Sequence, residues 1–132
     1  MALSADDVAA IQNLASAYCH HIDRGDGESY ADLFTPDGVF EIVDLTTATG
    51  REELSANAVM FPQVLEGGRH VVNNVFVEGD GDAASMQCYL TFVMTGDQPA
   101  IHQTGRYQDE VVRVDGEWKF ARRTLTLDGA LM

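Results

Sequence analysis

The hydrophobic pattern of the first part of the chain predicts an amphipathic helix. Apolar side chains recur at intervals of three and four residues, which places them on one helical face. They are Val8, Ile11, Leu14, Ala15, Tyr18 and Ile22. Ser4 followed by Asp7 resembles a capping box, with Asp in place of the usual Glu or Gln. The pattern therefore predicts a helix from about Asp6 to Ile22 that stops near Gly25.

Shorter elements are predicted between this helix and residue 67. Residues 27–34 have the pattern of a second helix. Residues 35–38, Thr-Pro-Asp-Gly, indicate a turn, because Pro presets one dihedral angle and Gly permits a positive φ. Residues 39–44 look like a first short strand. A third helix is expected over residues 52–61, where Pro62 should end it.

After Gly67 and Gly68 the pattern becomes that of long strands rich in β-branched and aromatic residues. The predicted strands are residues 69–78, 83–95, 100–114 and 117–128. Gly- and Asp-rich connections separate them, of which Asp115-Gly116 is the sharpest hairpin signal. Three helices followed by long antiparallel strands predict an α+β fold with the helices on one face of the sheet. Strands of this length in a short chain must bend, so the sheet should curl and enclose a pocket.

Length and charge narrow the possible classes of protein. The 132 residues fit one domain, residues 1–132, that can bury a core without disulfides or metals. The chain has 8 Lys and Arg against 21 Asp and Glu, a net charge of −13. Such a surface repels phosphate groups, so nucleic acid and membrane are not expected partners. The chain shows no signal-peptide pattern and no long apolar run, and we predict a cytoplasmic protein.

Several strings of residues resemble the SnoaL-like family of the nuclear transport factor 2-like fold, in the same order and with similar spacing. They are Ile11, Tyr18, Asp23, Asp26 and residues 30–38; residues 50–52; residues 68–70; and His102, Gly105, Tyr107, residues 115–120 and Arg123. The resemblance covers nearly the whole chain. It implies a cone-shaped α+β barrel in which three N-terminal helices pack on a strongly curved mixed or antiparallel sheet around a pocket. It also implies a homo-oligomer, either a dimer or a trimer.

The resemblance also implies a catalytic site. Asp23 and His70 look like the Asp–His pair of scytalone dehydratase, bile acid 7α-dehydratase and hexachlorocyclohexane dehydrochlorinase. Tyr18 matches a Tyr of the bile acid enzyme, and Arg123 matches a pocket Arg of the last two enzymes. His102 resembles the second pocket His of scytalone dehydratase. That enzyme has a Tyr where this chain has Ile22, so its substrate is not implied.

The residue types themselves leave each role open. An Asp that accepts a hydrogen bond from one ring nitrogen fixes the tautomer of a His, and the other nitrogen can then take a proton. Asp23 could instead be an exposed residue ending a helix, and His70 a hydrogen-bonded core residue. Tyr18 could donate to a substrate oxygen or only pack. Arg123 could stabilise negative charge or form a salt bridge at a strand end.

Further contacts to a ligand are expected from the strands and the third helix. The alternation of side chains along a strand puts Asn74 and Phe76 on the same face as His70, and with His102 they are predicted to bind substrate. Phe61 is predicted to lie at the rim of the pocket, with core packing as the alternative. The alternating apolar residues expected on the outer face, as an interface between copies, are Val71, Val75, Val77, Val111 and Leu125.

Together these features predict a cofactor-free lyase of the dehydratase type. Its Asp–His pair would remove a proton from a small apolar cyclic, steroid-like or polyketide-like substrate. An isomerase or cyclase of the same fold is the alternative enzyme, and a domain that only binds a small molecule or a partner chain is the other alternative. No metal is predicted, since the adjacent His20 and His21 point about 100° apart on a helix.

Overall fold

A computed structural model describes residues 1–129 of the chain. These residues form three helices and six strands. In chain order they are α1 (Ala5–Arg24), α2 (Gly27–Asp32), β1 (Phe34–Ile42), β2 (Thr46–Thr49), α3 (Gly50–Val64), β3 (Gly68–Asp80), β4 (Ala83–Met94), β5 (Ala100–Val114) and β6 (Glu117–Leu127). The predicted α+β class is confirmed.

Helix α1 begins and ends as its sequence predicts. The Ser4 hydroxyl accepts from the Asp7 backbone N–H at 3.0 Å, and the Asp7 carboxylate accepts from the Ser4 N–H at 3.2 Å. This reciprocal pair satisfies donors that the first helical turn leaves free. At the other end Gly25 adopts a left-handed conformation with φ of 71°, which a glycine adopts without steric cost.

Two predictions in the segment after α1 are wrong. The second helix stops at Asp32 rather than residue 34, and residues 35–38 belong to β1 instead of forming a separate turn. Strand β1 pairs with β6 at Phe34 and again from Val39, and the Pro-Asp-Gly segment between them is irregular. A Cβ on Gly38 would lie 2.8 Å from the Phe34 Cβ, so this close approach requires glycine. Strand β2, which the sequence did not indicate, pairs with β1.

Pro62 does not end α3, which continues to Val64. It lies in the last turn of that helix, where its missing N–H removes one hydrogen bond close to an end that is already less constrained. Its ring packs near Gly25, where an added Cβ would lie 3.0 Å from the Pro62 Cγ. The third helix is therefore longer than predicted, and it contacts the end of α1.

The six strands form one mixed sheet in the order β2-β1-β6-β5-β4-β3. Strands β1 and β6 are parallel and the other neighbours are antiparallel. The sheet curls around the helices but does not close into a barrel, so β2 and β3 are its edges. Among residues 1–129, no helix combines the length and apolar character that crossing a bilayer requires. The cytoplasmic location and the homo-oligomer stay predictions.

A bulge in β3 corrects the predicted faces of that strand. The pairing with β4 shifts between Asn73 and Phe76, and Asn74 has a φ of 56°. The extra residue reverses the alternation of side chains beyond it. His70 therefore points inward, whereas Asn74 is exposed and Phe76 is 56% exposed on the outer face. The prediction that these three residues share a face is wrong.

The predicted outer interface needs a similar correction. Val111 and Leu125 belong to the core, with exposures of 1% and 5%. Val75 and Val77 are half-buried against that core, and Val71 is exposed. A bulge in β5 and another in β6 shift the alternation of inward side chains, and a two-residue alternation counted along the chain does not predict them.

Candidate active site

The Asp23 carboxylate and the His70 side chain meet where the end of α1 packs on β3. Oxygen Oδ1 of Asp23 lies 2.6 Å from Nδ1 of His70. The same carboxylate accepts from the His70 backbone N–H, at 3.0 Å to Oδ2 and 3.2 Å to Oδ1. Strand β3 is an edge strand, so this N–H has a side chain as its acceptor. The carboxylate thus holds both the backbone and the ring of His70.

These contacts favour one tautomer of the imidazole. An ionised carboxylate can only accept hydrogen bonds, so the 2.6 Å contact with Asp23 favours a His70 ring with its proton on Nδ1. In the neutral imidazole the other nitrogen, Nε2, then has a free lone pair. The His70 side chain is 5% exposed and that of Asp23 is 19% exposed, so water has little access to the pair.

His70 lines an apolar cavity of about 230 Å³ between α3 and the inner face of the sheet. The lining residues are Ile42, Leu45, Phe61, Leu65, His70, Leu90, Phe92, His102, Gln103, Leu125 and Leu127. Aromatic rings surround the imidazole, with centroids 4.8 Å away for Phe92 and 5.0 Å away for Phe61. Three of the lining side chains are polar, namely His70, His102 and Gln103. The cavity is therefore suited to an apolar molecule with few polar groups.

A larger hollow of about 360 Å³ lies elsewhere, beside Asp32, Arg51 and Lys119. Its Arg51 and Asp32 side chains are both more than half exposed and pair at 2.7 Å. Charged groups that are solvated and already paired contribute little to the binding free energy of a ligand. The smaller cavity at His70 is the better candidate site.

Two of the predicted site residues lie behind the cavity rather than in its lining. Tyr18 is 1% exposed, and its ring meets the His70 ring edge-on with centroids 6.2 Å apart. Burial raises the pKa of Tyr18 well above its usual range, so the hydroxyl stays protonated. Arg123 is fully buried, and its guanidinium carbon lies 4.2 Å from the Tyr18 ring centroid and 3.6 Å from that of Tyr107.

Asp109 on β5 is the buried partner of Arg123, and the sequence analysis missed it. Its Oδ1 lies 3.0 Å from Nε of Arg123, and both side chains have 0% exposure. The N–H does not point along this contact, so neither group has an aligned hydrogen bond there. Burial outweighs the attraction of Arg123 and raises the pKa of Asp109 to about 6. The sequence does contain one signal that Asp109 is buried. Asp109 lies two residues from Tyr107 and from Val111, so the alternation of side chains puts all three on the same face of the strand.

The other predicted contacts divide into two groups. Phe61 and His102 line the cavity with His70, whereas Asn74 and Phe76 lie on the outer face of the sheet. Gln103 also lines the cavity, beside His102, although its sequence pattern does not predict this. Two consecutive side chains of one strand share the cavity because β5 has a bulge at this point, and no local sequence pattern announces that bulge.

The protein thus belongs to the class of small α+β folds in which three helices pack on a curled mixed sheet and leave an apolar cavity between them. The chain belongs to the SnoaL-like domain family, whose sequence profile matches residues 4–124. The predicted family is therefore confirmed. Comparison with curated proteins finds no match.

Solved structures share this fold over nearly the whole chain. A protein of unknown function from Mycobacterium tuberculosis is 35% identical, with a TM-score of 0.85 over 93% of this chain and 72% of that one. A Nostoc punctiforme protein of unknown function with a cystatin-like fold is 29% identical, with a TM-score of 0.91 over 99% and 98% of the two chains. A candidate scytalone dehydratase from Novosphingobium aromaticivorans is 26% identical, with a TM-score of 0.80 over 92% and 84%.

Proposed function

We propose that this protein is a cofactor-free lyase of the dehydratase type that acts on a small, mostly apolar cyclic carbonyl compound. His70 is the general base and Asp23 orients it. The observation that carries this proposal is the 2.6 Å contact between Asp23 and His70 at the wall of an apolar cavity. A carboxylate that holds one imidazole nitrogen and leaves the other toward a cavity is an arrangement suited to proton abstraction.

The chemistry follows from these groups in two steps. Nε2 of His70 takes a proton from the carbon beside the carbonyl, and the electron pair of that C–H bond moves into an enolate. Asp23 stabilises the imidazolium that forms. The enolate then re-forms the carbonyl and expels a hydroxyl group from the next carbon. His102, which lines the same cavity, can donate the proton that lets this group leave as water.

The cavity volume favours a one- or two-ring substrate. An apolar protein cavity of about 150 Å³ is large enough to hold benzene. The cavity at His70, at about 230 Å³, is roughly half as large again. The neighbouring candidate scytalone dehydratase supports dehydration as the reaction, as an analogy of fold and family.

Solvent deuterium exchange tests the proton transfer without knowledge of the natural substrate. The protein is incubated in D₂O with acetophenone, 1-indanone or 1-tetralone, and loss of the proton signal beside the carbonyl is followed by NMR. We expect the unmodified protein to accelerate exchange in at least one of these ketones. The variants His70→Gln and Asp23→Asn should lower that acceleration by about 100-fold or more.

His20→Gln is the matched control, because His20 is an exposed histidine on the same helix as Asp23. It should exchange at the rate of the unmodified protein. Circular dichroism checks that each variant is folded. Equal exchange in all four folded proteins, or none above the buffer rate, would contradict the proposal and favour a domain that only binds its ligand.

A further inference from the structure

The bulge in β5 brings Gln103 into the cavity. Phe92 of β4 pairs with Gln103, and the next residue, Val93, pairs with Ile101, so His102 is the extra residue. In a regular strand consecutive side chains point to opposite faces, whereas here both His102 and Gln103 line the cavity. The bulge thus adds a polar side chain to a cavity whose walls are otherwise mainly apolar.

The amide of Gln103 has a defined orientation. Its Oε1 accepts a hydrogen bond from the Thr104 backbone N–H at 3.0 Å. A backbone N–H needs an acceptor, so this contact identifies the oxygen end of the amide. The NH₂ end of Gln103 is then the end left for a ligand, and it can only donate hydrogen bonds. A ligand group that binds it must be an acceptor such as a carbonyl oxygen.

Gln103 and His70 stand at the two ends of one row of side chains across the sheet. His70 pairs with Phe92, and Phe92 pairs with Gln103. Adjacent strands lie about 4.8 Å apart, so the Cα atoms of His70 and Gln103 are about 10 Å apart. In a complex, the carbonyl oxygen would lie about 3 Å from the Gln103 amide nitrogen, and the carbon beside the carbonyl would lie about 3 Å from Nε2 of His70. The two protein nitrogens must then be about 8 Å apart. The row can therefore hold both groups at once, with the ring over Phe92.

We propose that Gln103 is a catalytic residue that donates a hydrogen bond to the substrate's carbonyl oxygen while His70 faces the adjacent C–H group. This inference rests on the proposed function and adds the group that recognises the carbonyl. A donor aimed at the oxygen stabilises the enolate more than the ketone, because negative charge develops on that atom. Gln103 therefore selects planar cyclic carbonyl compounds over hydrocarbons of the same shape.

Gln103→Glu separates this role from the structural one. A glutamate retains an oxygen that can accept from the Thr104 N–H, but it replaces the NH₂ donor by a second acceptor. Gln108→Glu is the matched control, because it makes the same change at an exposed position of the same strand. Both variants are compared with the unmodified protein in binding and in deuterium exchange.

The binding probes are acetophenone and ethylbenzene, which share a ring but differ in the acceptor oxygen. Each is titrated into ¹⁵N- and methyl-labelled protein, and the Gln103 NH₂ signals and the Leu90 methyl signals are followed by NMR. We expect both probes to move the Leu90 methyl signals, acetophenone alone to move the Gln103 NH₂ signals, and acetophenone to bind about 10-fold more tightly. Gln103→Glu should lose this preference and lower exchange about 100-fold, while Gln108→Glu keeps both.

The outcomes distinguish this inference from the proposed function. His70→Gln should keep the preference for acetophenone, because it removes the base and not the donor. If acetophenone binds more tightly than ethylbenzene but neither the unmodified protein nor any variant accelerates deuterium exchange in the ketone, the lyase proposal fails and Gln103 keeps only its binding role. If Gln103→Glu keeps the preference, or acetophenone binds without moving the Gln103 NH₂ signals or does not bind, the inference about Gln103 is overturned.

Discussion

Two carboxylate pairs among residues 1–129, one partly buried and one inside the core, differ in what surrounds them. Asp23 and His70 meet at 2.6 Å beside the cavity, and Asp23 also accepts twice from backbone N–H. Asp109 and Arg123 meet at 3.0 Å inside the core, with 0% exposure and no aligned hydrogen bond. The first pair has hydrogen bonds and a free ring nitrogen near open space. In the second pair Arg123 donates from Nη2 to the Cys88 Sγ at 3.5 Å, and neither side chain lines the cavity at His70.

This difference shows that a buried charge is not by itself evidence for a catalytic role. Arg123 is enclosed by Tyr18, Tyr107 and Phe120, with its guanidinium carbon 3.6 to 4.8 Å from the ring centroids. It stabilises the interior, and Asp109 compensates its charge. The position of the cavity decides which of the two pairs can meet a ligand. Four measurements test this division, from the largest expected effect to the smallest.

Removing the guanidinium of Arg123 should have the largest effect on stability. Arg123→Met leaves the Asp109 carboxyl group buried without a counter-ion, and the free energy of unfolding at pH 7 should fall by about 3–5 kcal/mol. Urea denaturation followed by circular dichroism measures this change. Arg106→Met, at an exposed position of β5, is the control and should change stability by less than about 0.5 kcal/mol. A loss below about 1 kcal/mol for Arg123→Met would show that the pair is not a structural unit.

Removing both charges together should restore most of that stability. Asp109→Leu combined with Arg123→Met fills the same space with apolar atoms and leaves no buried charge. Replacing a buried ion pair in this way is often neutral or stabilising, so we expect unfolding within about 2 kcal/mol of the unmodified chain. If the double variant is as unstable as Arg123→Met, the pair supplies a specific interaction that apolar packing cannot replace.

The pH dependence of stability should report the raised pKa of Asp109, which is about 6 against an ordinary value of 3.8. The folded chain holds this proton more tightly than the unfolded chain does. The resulting stabilisation is complete below about pH 4 and is lost as the pH rises through 6. Relative to the double variant, the unmodified chain should lose about 2–3 kcal/mol between pH 4 and pH 7. A difference that stays constant or grows over that range would be the opposite result.

The cavity pair should contribute less to stability than the core pair does. Asp23→Asn keeps an oxygen that can accept from His70, and Asp23 is partly exposed. We expect a loss of about 1–2 kcal/mol in the free energy of unfolding, measured by the same urea titration. A loss as large as that of Arg123→Met would mean that the two pairs are equally structural.

Much of the fold could be predicted from local patterns. The apolar stripe and the capping box of α1 depend on residues three and four apart, and β5 has the predicted bounds. The errors lie where pairing between strands overrides local pattern. The bulge in β3 turns Asn74 and Phe76 outward, and the bulge in β5 turns Gln103 inward. Both bulges are defined by the pairing with β4, and a pattern read along one strand does not contain that pairing.

The site could be predicted only in part, for the same physical reason. The resemblance to a family suggested Asp23, His70 and His102, and the structure shows the first two in contact. It also suggested Tyr18 and Arg123 for the pocket, but they lie behind the cavity because Asp109 and the ring of Tyr107 hold Arg123 in the core. A buried counter-ion on a neighbouring strand changes the position of a side chain without changing any motif.

Proton abstraction by His70 requires that Asp23 hold the ring proton at Nδ1, which leaves Nε2 without a proton toward the cavity. Long-range ¹H–¹⁵N NMR of the histidine ring at neutral pH measures this tautomer directly. We predict that the His70 ring carries its proton on Nδ1 and that acetophenone moves the Nε2 resonance. A ring that carries its proton on Nε2, or an Nε2 resonance that does not shift when acetophenone is added, would contradict the role of His70 as the general base.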